Sequence, residues 1–320
     1  MSDRKILLHL VPGYGTTQNA IYDYALVIGE YLKSELVDTE FRYNRMPDLY
    51  IMSYVNAGYS FLEHISNIIR LIKFQKRKLK GLVFFHEAYA AQGKFYQKSF
   101  WYYPIERLIF KMYVRNASAI FCSCEPVLKH IQAYHHHGVY LGLAPVPSNI
   151  VFKNLVPWMK RKKILVVFGT YGRRAAALKR KTELKALLAK LSINVVIDIG
   201  AGDVDYSWLP LDIAIKKIGY LKSTYDVAEY IASAKYGLID YPGHLLDKSG
   251  IFATYAAAGL CVINTDESII IEPNLYFRLS AIPSLSDVKV EDTVLQLHAH
   301  YQNERSVKAH TEKLLAVLKR

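Results

Sequence analysis

Cysteine is scarce in this chain: Cys122, Cys124 and Cys261 are the only three among 320 residues. An odd, sparse count excludes a disulfide framework and gives the cytoplasm as the default compartment. Cys122-Ser123-Cys124 is too tightly spaced for a structural zinc site and has no second pair. Long apolar runs are missing. None reaches the roughly 18 residues of a membrane span, and Ile6-Leu7-Leu8-His9-Leu10 is too short for a secretory signal. Low-complexity segments are also absent. Acid is in short supply, with 28 Asp and Glu against 41 Lys and Arg, a formal net charge of +13. Such a balance suits polyanions, anionic lipid headgroups or phosphorylated small molecules. No nucleic-acid recognition motif accompanies the charge, so nucleic acid ranks low.

What is present is a core-forming composition, 52% hydrophobic, arranged as short apolar strands alternating with amphipathic helices. That alternation predicts parallel α/β units. In the first half strands are expected near 5–10, 49–55, 81–85, 118–123 and 138–143, with helices near 17–33, 61–80, 99–115 and 125–134. After the basic link Val156-Pro157-Trp158-Met159-Lys160-Arg161-Lys162-Lys163, strands follow near 163–168, 194–199, 213–218, 236–240 and 260–263. Helices are expected near 174–190, 223–233, 250–258, 290–303 and 305–319. The reading is two doubly wound, Rossmann-like domains facing a cleft, 1–155 and 156–304, with a final helix in 305–320 packing back on the first. Ligands of such sheets sit at the carboxyl ends of the strands.

The stretch from Leu245 to Gly259 carries the clearest chemistry. A strand, Tyr236-Gly237-Leu238-Ile239-Asp240, leads through a loop with Pro242 and Gly243 to Ser249, placed as the N-cap of an Ala-rich helix. Free backbone N–H groups and the positive end of the helix dipole favour an anion at Ser249 and Gly250, and Lys248 adds a full charge. A nucleoside diphosphate fits that description. A second turn, Gly169-Thr170-Tyr171-Gly172-Arg173-Arg174, places two arginines at a helix start, where the dipole disfavours cations. A bound anion accounts for both, since arginine grips phosphate through two parallel hydrogen bonds. Gly13-Tyr14-Gly15 lacks the third glycine of a dinucleotide loop. Its functional reading is a backbone approach to substrate at Gly15, beside the alternative of a plain turn. His86, with Glu87 after a strand, is placed for acid–base work or for binding sugar hydroxyls.

Three other motifs carry weaker readings. Asp198-x-Gly200-x-Gly202 suggests an S-adenosylmethionine loop and hence a methyltransferase alternative. Asp203-Val204-Asp205 reads as a surface turn. His130 with His135-His136-His137 reads as a polar turn, so no metal site is expected.

Taken in order, these loops resemble the GT-B glycosyltransferases, and among them the large nucleotide-sugar family 4 group. Phe121-Cys122-Ser123-Cys124-Glu125-Pro126 is similar to the strand-Ser-helix element late in that group's first domain. Gly169 to Arg174 resembles its glycine-arginine turn, Ile199-Gly200-Ala201-Gly202 its second glycine loop, and Ala256-Ala257-Ala258-Gly259-Leu260-Cys261-Val262 its closing motif. The resemblance implies a metal-independent transfer from a UDP- or GDP-sugar to a glycan or lipid-linked hydroxyl acceptor. Gly169, Thr170, Arg173, Lys248, Ser249 and Gly250 would hold the donor diphosphate, and Tyr220 would stand near the base. The chain departs from the family at its two glutamates spaced eight apart. Counted back from Gly259, those positions are Leu246 and Thr254, and the nearest polar pair at that spacing is Asp247 and Tyr255. Asp247 therefore joins His86 as a candidate catalytic side chain.

Two surface features remain. The helix after Ser60 carries an apolar stripe, Phe61, Leu62, Ile65, Ile68, Ile69 and Ile72, read as its core face. It runs into Arg70, Lys73, Lys76, Arg77, Lys78 and Lys80. An aromatic cluster follows at Phe95, Tyr96, Phe100, Trp101, Tyr102 and Tyr103, flanked by Lys94 and Lys98. Both features suit peripheral contact with an anionic membrane at its inner face. Beside the transferase and methyltransferase readings stands a third, a non-catalytic polyanion-binding protein that keeps a transferase-like fold.

Overall fold

The computed structural model describes residues 7–11, 20–37, 47–56, 59–89, 96, 98–153, 155–268, 275–284 and 287–319. The chain divides into two compact units, Met1–Pro145 together with Val307–Arg320, and Val146–Ser306.

Unit 1 runs β1 (Leu7–Leu10), α1 (Ala20–Leu32), β2 (Glu35–Val37), β3 (Leu49–Tyr54), α2 (Phe61–Lys76), β4 (Lys80–Phe85), α3 (Lys98–Asn116), β5 (Ala119–Cys122), α4 (Glu125–Gln132) and β6 (Tyr140–Leu143). Unit 2 runs β7 (Lys162–Phe168), α5 (Tyr171–Ala177), α6 (Lys181–Lys190), β8 (Val195–Ile199), β9 (Ala214–Gly219), α7 (Thr224–Ala232), β10 (Ala234–Ile239), α8 (Gly250–Ala258), β11 (Cys261–Asn264), β12 (Phe277–Arg278) and α9 (Asp287–His300). A last helix, α10 (Val307–Leu318), belongs to unit 1 and packs on α1.

Among the described residues each unit holds one six-stranded sheet, ordered β2-β1-β3-β4-β5-β6 and β12-β11-β10-β7-β8-β9, and every pairing is parallel. The central strands are near-continuous apolar runs because helices cover both faces of a parallel sheet. Leu82 through Phe85 on β4 are fully buried. The edge strand β9 instead exposes Lys216 and Lys217, which blunts it against pairing with another chain. In unit 2 the strand order reverses between β7 and β10; in unit 1 it reverses between β1 and β3.

Three expectations change. The helix expected over 174–190 is two helices, α5 and α6, broken at Leu178 to Arg180. Leu178 turns into the core, while Arg180 pairs with Glu183 and with Glu267. The short strands β2 and β12 were not expected at all. The apolar stripe of α2 is its core face only at Ile68, with Ile72 half-buried. His64, Asn67, Ile68, Leu71 and Phe74 face inward, and Phe61, Leu62, Ile65 and Ile69 are exposed. His64 is partnered there: its Nδ1 lies 3.3 Å from Tyr113 Oη, and its Nε2 lies 3.2 Å from the Asn56 carbonyl oxygen, while Asn67 Oδ1 accepts from Arg70 Nη1 at 3.4 Å.

His9 sits fully buried on β1, and desolvation pushes its imidazole down to about 3. An unfolded histidine titrates near 6.5, so between those values the unfolded chain binds the extra proton. Stability present above about pH 6.5 is therefore lost as the pH falls toward 3, at up to about 1.4 kcal/mol per pH unit from this group. Denaturant midpoints taken down to about pH 4 should show the decline, and His9→Gln should flatten it.

Candidate functional site

Three loops of unit 2 meet at the switch between β7 and β10. After β7, Gly169 takes a φ of +129°, and a Cβ there would stand 2.5 Å from Ile251 Cδ1 in the first turn of α8. After β8, Gly200 takes a φ of +148°, and a Cβ there would stand 2.0 Å from the Gly169 carbonyl oxygen. Both positions need a residue without a side chain, for conformation and for space. These contacts place the β7–α5 turn against both the β8–β9 loop and the N-terminus of α8.

Arg174 ties two of the loops together. Its side chain is 1% exposed and forms a 2.5 Å ion pair with Asp198 on β8. Its Nε donates to the Gly169 carbonyl at 3.0 Å, and its Nη2 donates to the carbonyls of Ala201 and Gly202. This corrects the paired-arginine expectation, because the anion that accounts for Arg174 is the protein's own Asp198. The Asp198-Gly200-Gly202 loop is accordingly organised around a guanidinium. Arg173 differs from its neighbour. It is exposed, and its guanidinium carbon lies 4.4 Å from the centroid of the Tyr241 ring, a stacking that fixes its direction at modest cost.

The α8 side is built from a 3-10 segment, Gly243–Lys248, and the Ser249 cap. Ser249 Oγ accepts a hydrogen bond from the Phe252 N–H at 3.2 Å, so that hydroxyl is committed to the helix. Gly250 faces open space. Lys248 is half-buried, and among the described residues no hydrogen bond or ion pair engages its ammonium. Thr170 caps α5 by position, but its side chain makes no capping hydrogen bond. Gly169, Thr170, Arg173, Lys248, Ser249 and Gly250 thus lie on two adjoining turns. Tyr220, exposed beyond β9, follows Gly219, whose carbonyl accepts from the Gly200 N–H at 2.9 Å.

Three side chains here were missed by sequence reasoning. Arg305, fully buried at the end of a π-helical turn, lies 3.4 Å from Asp247 Oδ1 through Nη1. Its Nη2 donates to the carbonyls of Val146, Leu246 and Asp247. It pins the 3-10 segment and gives Asp247, half-exposed, a structural partner. His244, in the same segment, has a buried Nδ1 with no hydrogen-bond partner among the described residues. Asp240 follows β10 and is half-buried. Burial raises its carboxyl, the nearby Asp266 adds to the rise, and Lys179 and Arg173 oppose it. No local motif announces any of the three. Thr254, at one of the departed family positions, is fully buried, its Oγ1 3.1 Å from Ser148 Oγ.

In unit 1, His86 follows β4 and is 6% exposed. Its Nε2 lies 3.4 Å from Ser53 Oγ, which also lies 3.4 Å from His9 Nε2. Ser123 Oγ donates to the His86 carbonyl at 2.9 Å, and the Tyr24 ring meets the imidazole edge-on at 4.8 Å. Gly13 and Gly15 lie outside the described residues. Asp203 and Asp205 are exposed and paired with Lys217 and Lys181. All three cysteines are free and buried. Among the described residues no group of three or more His, Cys, Asp or Glu side chains is arranged to hold a metal ion, and no helix is long and apolar enough to cross a membrane.

No protein-family model matches the sequence, and no curated protein matches it. Solved structures match the fold. The E. coli trehalose-6-phosphate protein bound with UDP-2-fluoro glucose superposes with a TM-score of 0.58 at 9% identity, over 99% of each chain. The N-terminal domain of Candida albicans trehalose-6-phosphate phosphatase gives 0.58 at 9% identity, over 98% of this chain and 96% of that one. The UDP-forming trehalose-phosphate synthase of Burkholderia xenovorans, in complex with glucose-6-phosphate, gives 0.56 at 10% identity, over 93% of this chain and 76% of that one. The likeness is one of architecture: two parallel α/β sheets resembling GT-B glycosyltransferase structures.

Proposed function

We propose that this chain is a GT-B glycosyltransferase, a divergent relative of the nucleotide-sugar family 4 group. It moves a sugar from a nucleotide-diphosphate-sugar to a hydroxyl acceptor. The observation that carries the reading is the meeting of Gly169 and Ile251. It joins two strand-to-helix turns at the switch point, where ligands of doubly wound sheets bind. Two cations without carboxylate ion pairs among the described residues, Arg173 and Lys248, belong to those turns. Similar folds that hold UDP-2-fluoro glucose or form UDP support a UDP-sugar donor, with a GDP-sugar as the alternative.

In this reading the anomeric carbon–oxygen bond to the diphosphate breaks as the acceptor oxygen bonds to that carbon. The acceptor proton passes to a base, for which His86 is the candidate. The leaving diphosphate gathers charge that Arg173, Lys248 and the amide groups at Gly250 and Ile251 stabilise without a metal. Asp247 orients the donor side while Arg305 holds its loop. Gly15 belongs to the acceptor side. The setting is cytoplasmic synthesis of a polysaccharide or glycolipid.

The test is release of nucleoside diphosphate from a set of UDP- and GDP-sugars, with and without hydroxyl acceptors. One donor should turn over slowly alone and faster with an acceptor. Failure of every sugar nucleotide to bind at millimolar concentration overturns the reading. His86→Ala should lower the transfer rate by roughly a hundred-fold or more, the usual scale for a general base, and leave donor affinity near the parent value.

A further inference from the structure

We propose that the outward faces of α2 and α3 form a docking surface for a lipid bilayer with anionic headgroups. The argument uses unit 1 alone and does not depend on the transferase reading.

At 100° per residue, the buried residues of α2 centre on Leu71, with His64, Asn67, Ile68 and Phe74 around it. Leu62, Ile65 and Ile69 lie half a turn away on the opposite face, and the same stripe continues through the exposed Lys73 and Lys76. On α3, Phe110, Tyr113 and Val114 are buried, and Trp101, Ile105 and Leu108 form the opposite stripe, which continues to the exposed Arg115. The exposures are large: 78% for Leu62, 69% for Trp101 and 59% for Leu108.

These two faces adjoin. The connections β3-α2-β4 and β4-α3-β5 step the same way across the sheet. Right-handed crossovers therefore put both helices on one side of it, and α2 packs against α3. Each helix has a single acid, Glu63 and Glu106, and neither falls on its apolar stripe. Glu63 is committed to the capping box with Ser60, accepting from its N–H at 2.6 Å. Tyr102, next to Trp101 in α3 and exposed, adds an amphipathic ring.

An apolar patch rimmed by cations and aromatic rings matches the headgroup boundary of an anionic bilayer. A second copy of the chain fits less well, because it would set Lys73 and Lys76 against their own counterparts. Lys94 and Phe95, and the side chains of Lys98 and Phe100, lie outside the described residues, and the proposal does not use them.

The experiment is co-sedimentation of the whole chain with phosphatidylcholine vesicles, with and without phosphatidylglycerol, alongside intrinsic tryptophan emission. Binding that needs the anionic lipid, with a blue shift lost in Trp101→Gln, is expected. The triple variant Lys73→Gln, Lys76→Gln, Arg77→Gln should lose about a hundred-fold in partitioning, since each cation near such a surface contributes roughly five-fold. Leu62→Ser with Ile69→Ser should lose binding as well. All these positions are exposed, so an unchanged circular dichroism spectrum and thermal midpoint separate a lost surface from a lost fold. Equal binding to both vesicle types, no binding to either, or a concentration-dependent dimer abolished by Leu62→Ser overturns the proposal.

Discussion

Replacing Arg174 by Met should destabilise unit 2 by about 3–5 kcal/mol, because it strands the buried Asp198 carboxylate. The guanidinium also ties the Gly169 carbonyl to those of Ala201 and Gly202. Its loss releases the β7–α5 turn from the β8–β9 loop, so nucleotide affinity should fall along with stability. A double variant, Arg174→Met with Asp198→Leu, separates the two effects. Removing both charges costs far less than removing one, so the denaturation midpoint should recover most of the loss. The loop carbonyls still lack their donor, so nucleotide affinity should not recover. A midpoint for Arg174→Met within error of the parent would show that the ion pair does not organise these loops.

Lys248→Ala should have the opposite profile. The side chain is half-buried and has no partner among the described residues, so folding loses little. A cation next to the start of α8 is, if anything, unfavourable to that helix in the absence of a ligand. The thermal midpoint should therefore stay level or rise slightly. A hydrogen bond to a charged group contributes about 1.5–3 kcal/mol, so removing the ammonium should raise the dissociation constant for a nucleoside diphosphate by roughly ten- to a hundred-fold. Calorimetric titration of both proteins measures this. Unchanged affinity would take Lys248 out of the diphosphate site.

Much of the architecture is legible before any coordinates. Parallel strands buried on both faces leave unbroken apolar runs such as Leu82-Val83-Phe84-Phe85, and the ends of α8 are written in Ser249 and Gly259. The strands β2 and β12, of three and two residues, are too short to show a period. The break between α5 and α6 carries neither Gly nor Pro. It follows from Leu178 entering the core and Arg180 reaching Glu267, contacts made far along the chain.

The candidate site divides in the same way. Its glycines and capping positions follow local rules and are readable. Arg173 and Arg174 are the same residue type at adjacent positions. Only the placement of Asp198, on the neighbouring strand, decides which one is spent on structure. Arg305 belongs to the site through Asp247, 58 positions earlier, and no local motif joins them. Helix α2 misleads for a further reason. Its apolar residues cover two opposite faces, and the polar His64 and Asn67 take inward positions that a hydrophobic pattern assigns to Ile65 and Ile69.

The most direct test of a diphosphate site at the β7–β10 switch is the thermal midpoint of the whole chain across UDP, GDP, ADP and TDP, their common sugar forms, and S-adenosylmethionine. A ligand that binds only the folded state at about a hundred times its dissociation constant stabilises it by about 2.7 kcal/mol. The account predicts a clear rise with one nucleoside diphosphate and its sugar form, and none with S-adenosylmethionine. A rise with S-adenosylmethionine alone, or none with any nucleotide at saturating concentration, would contradict it.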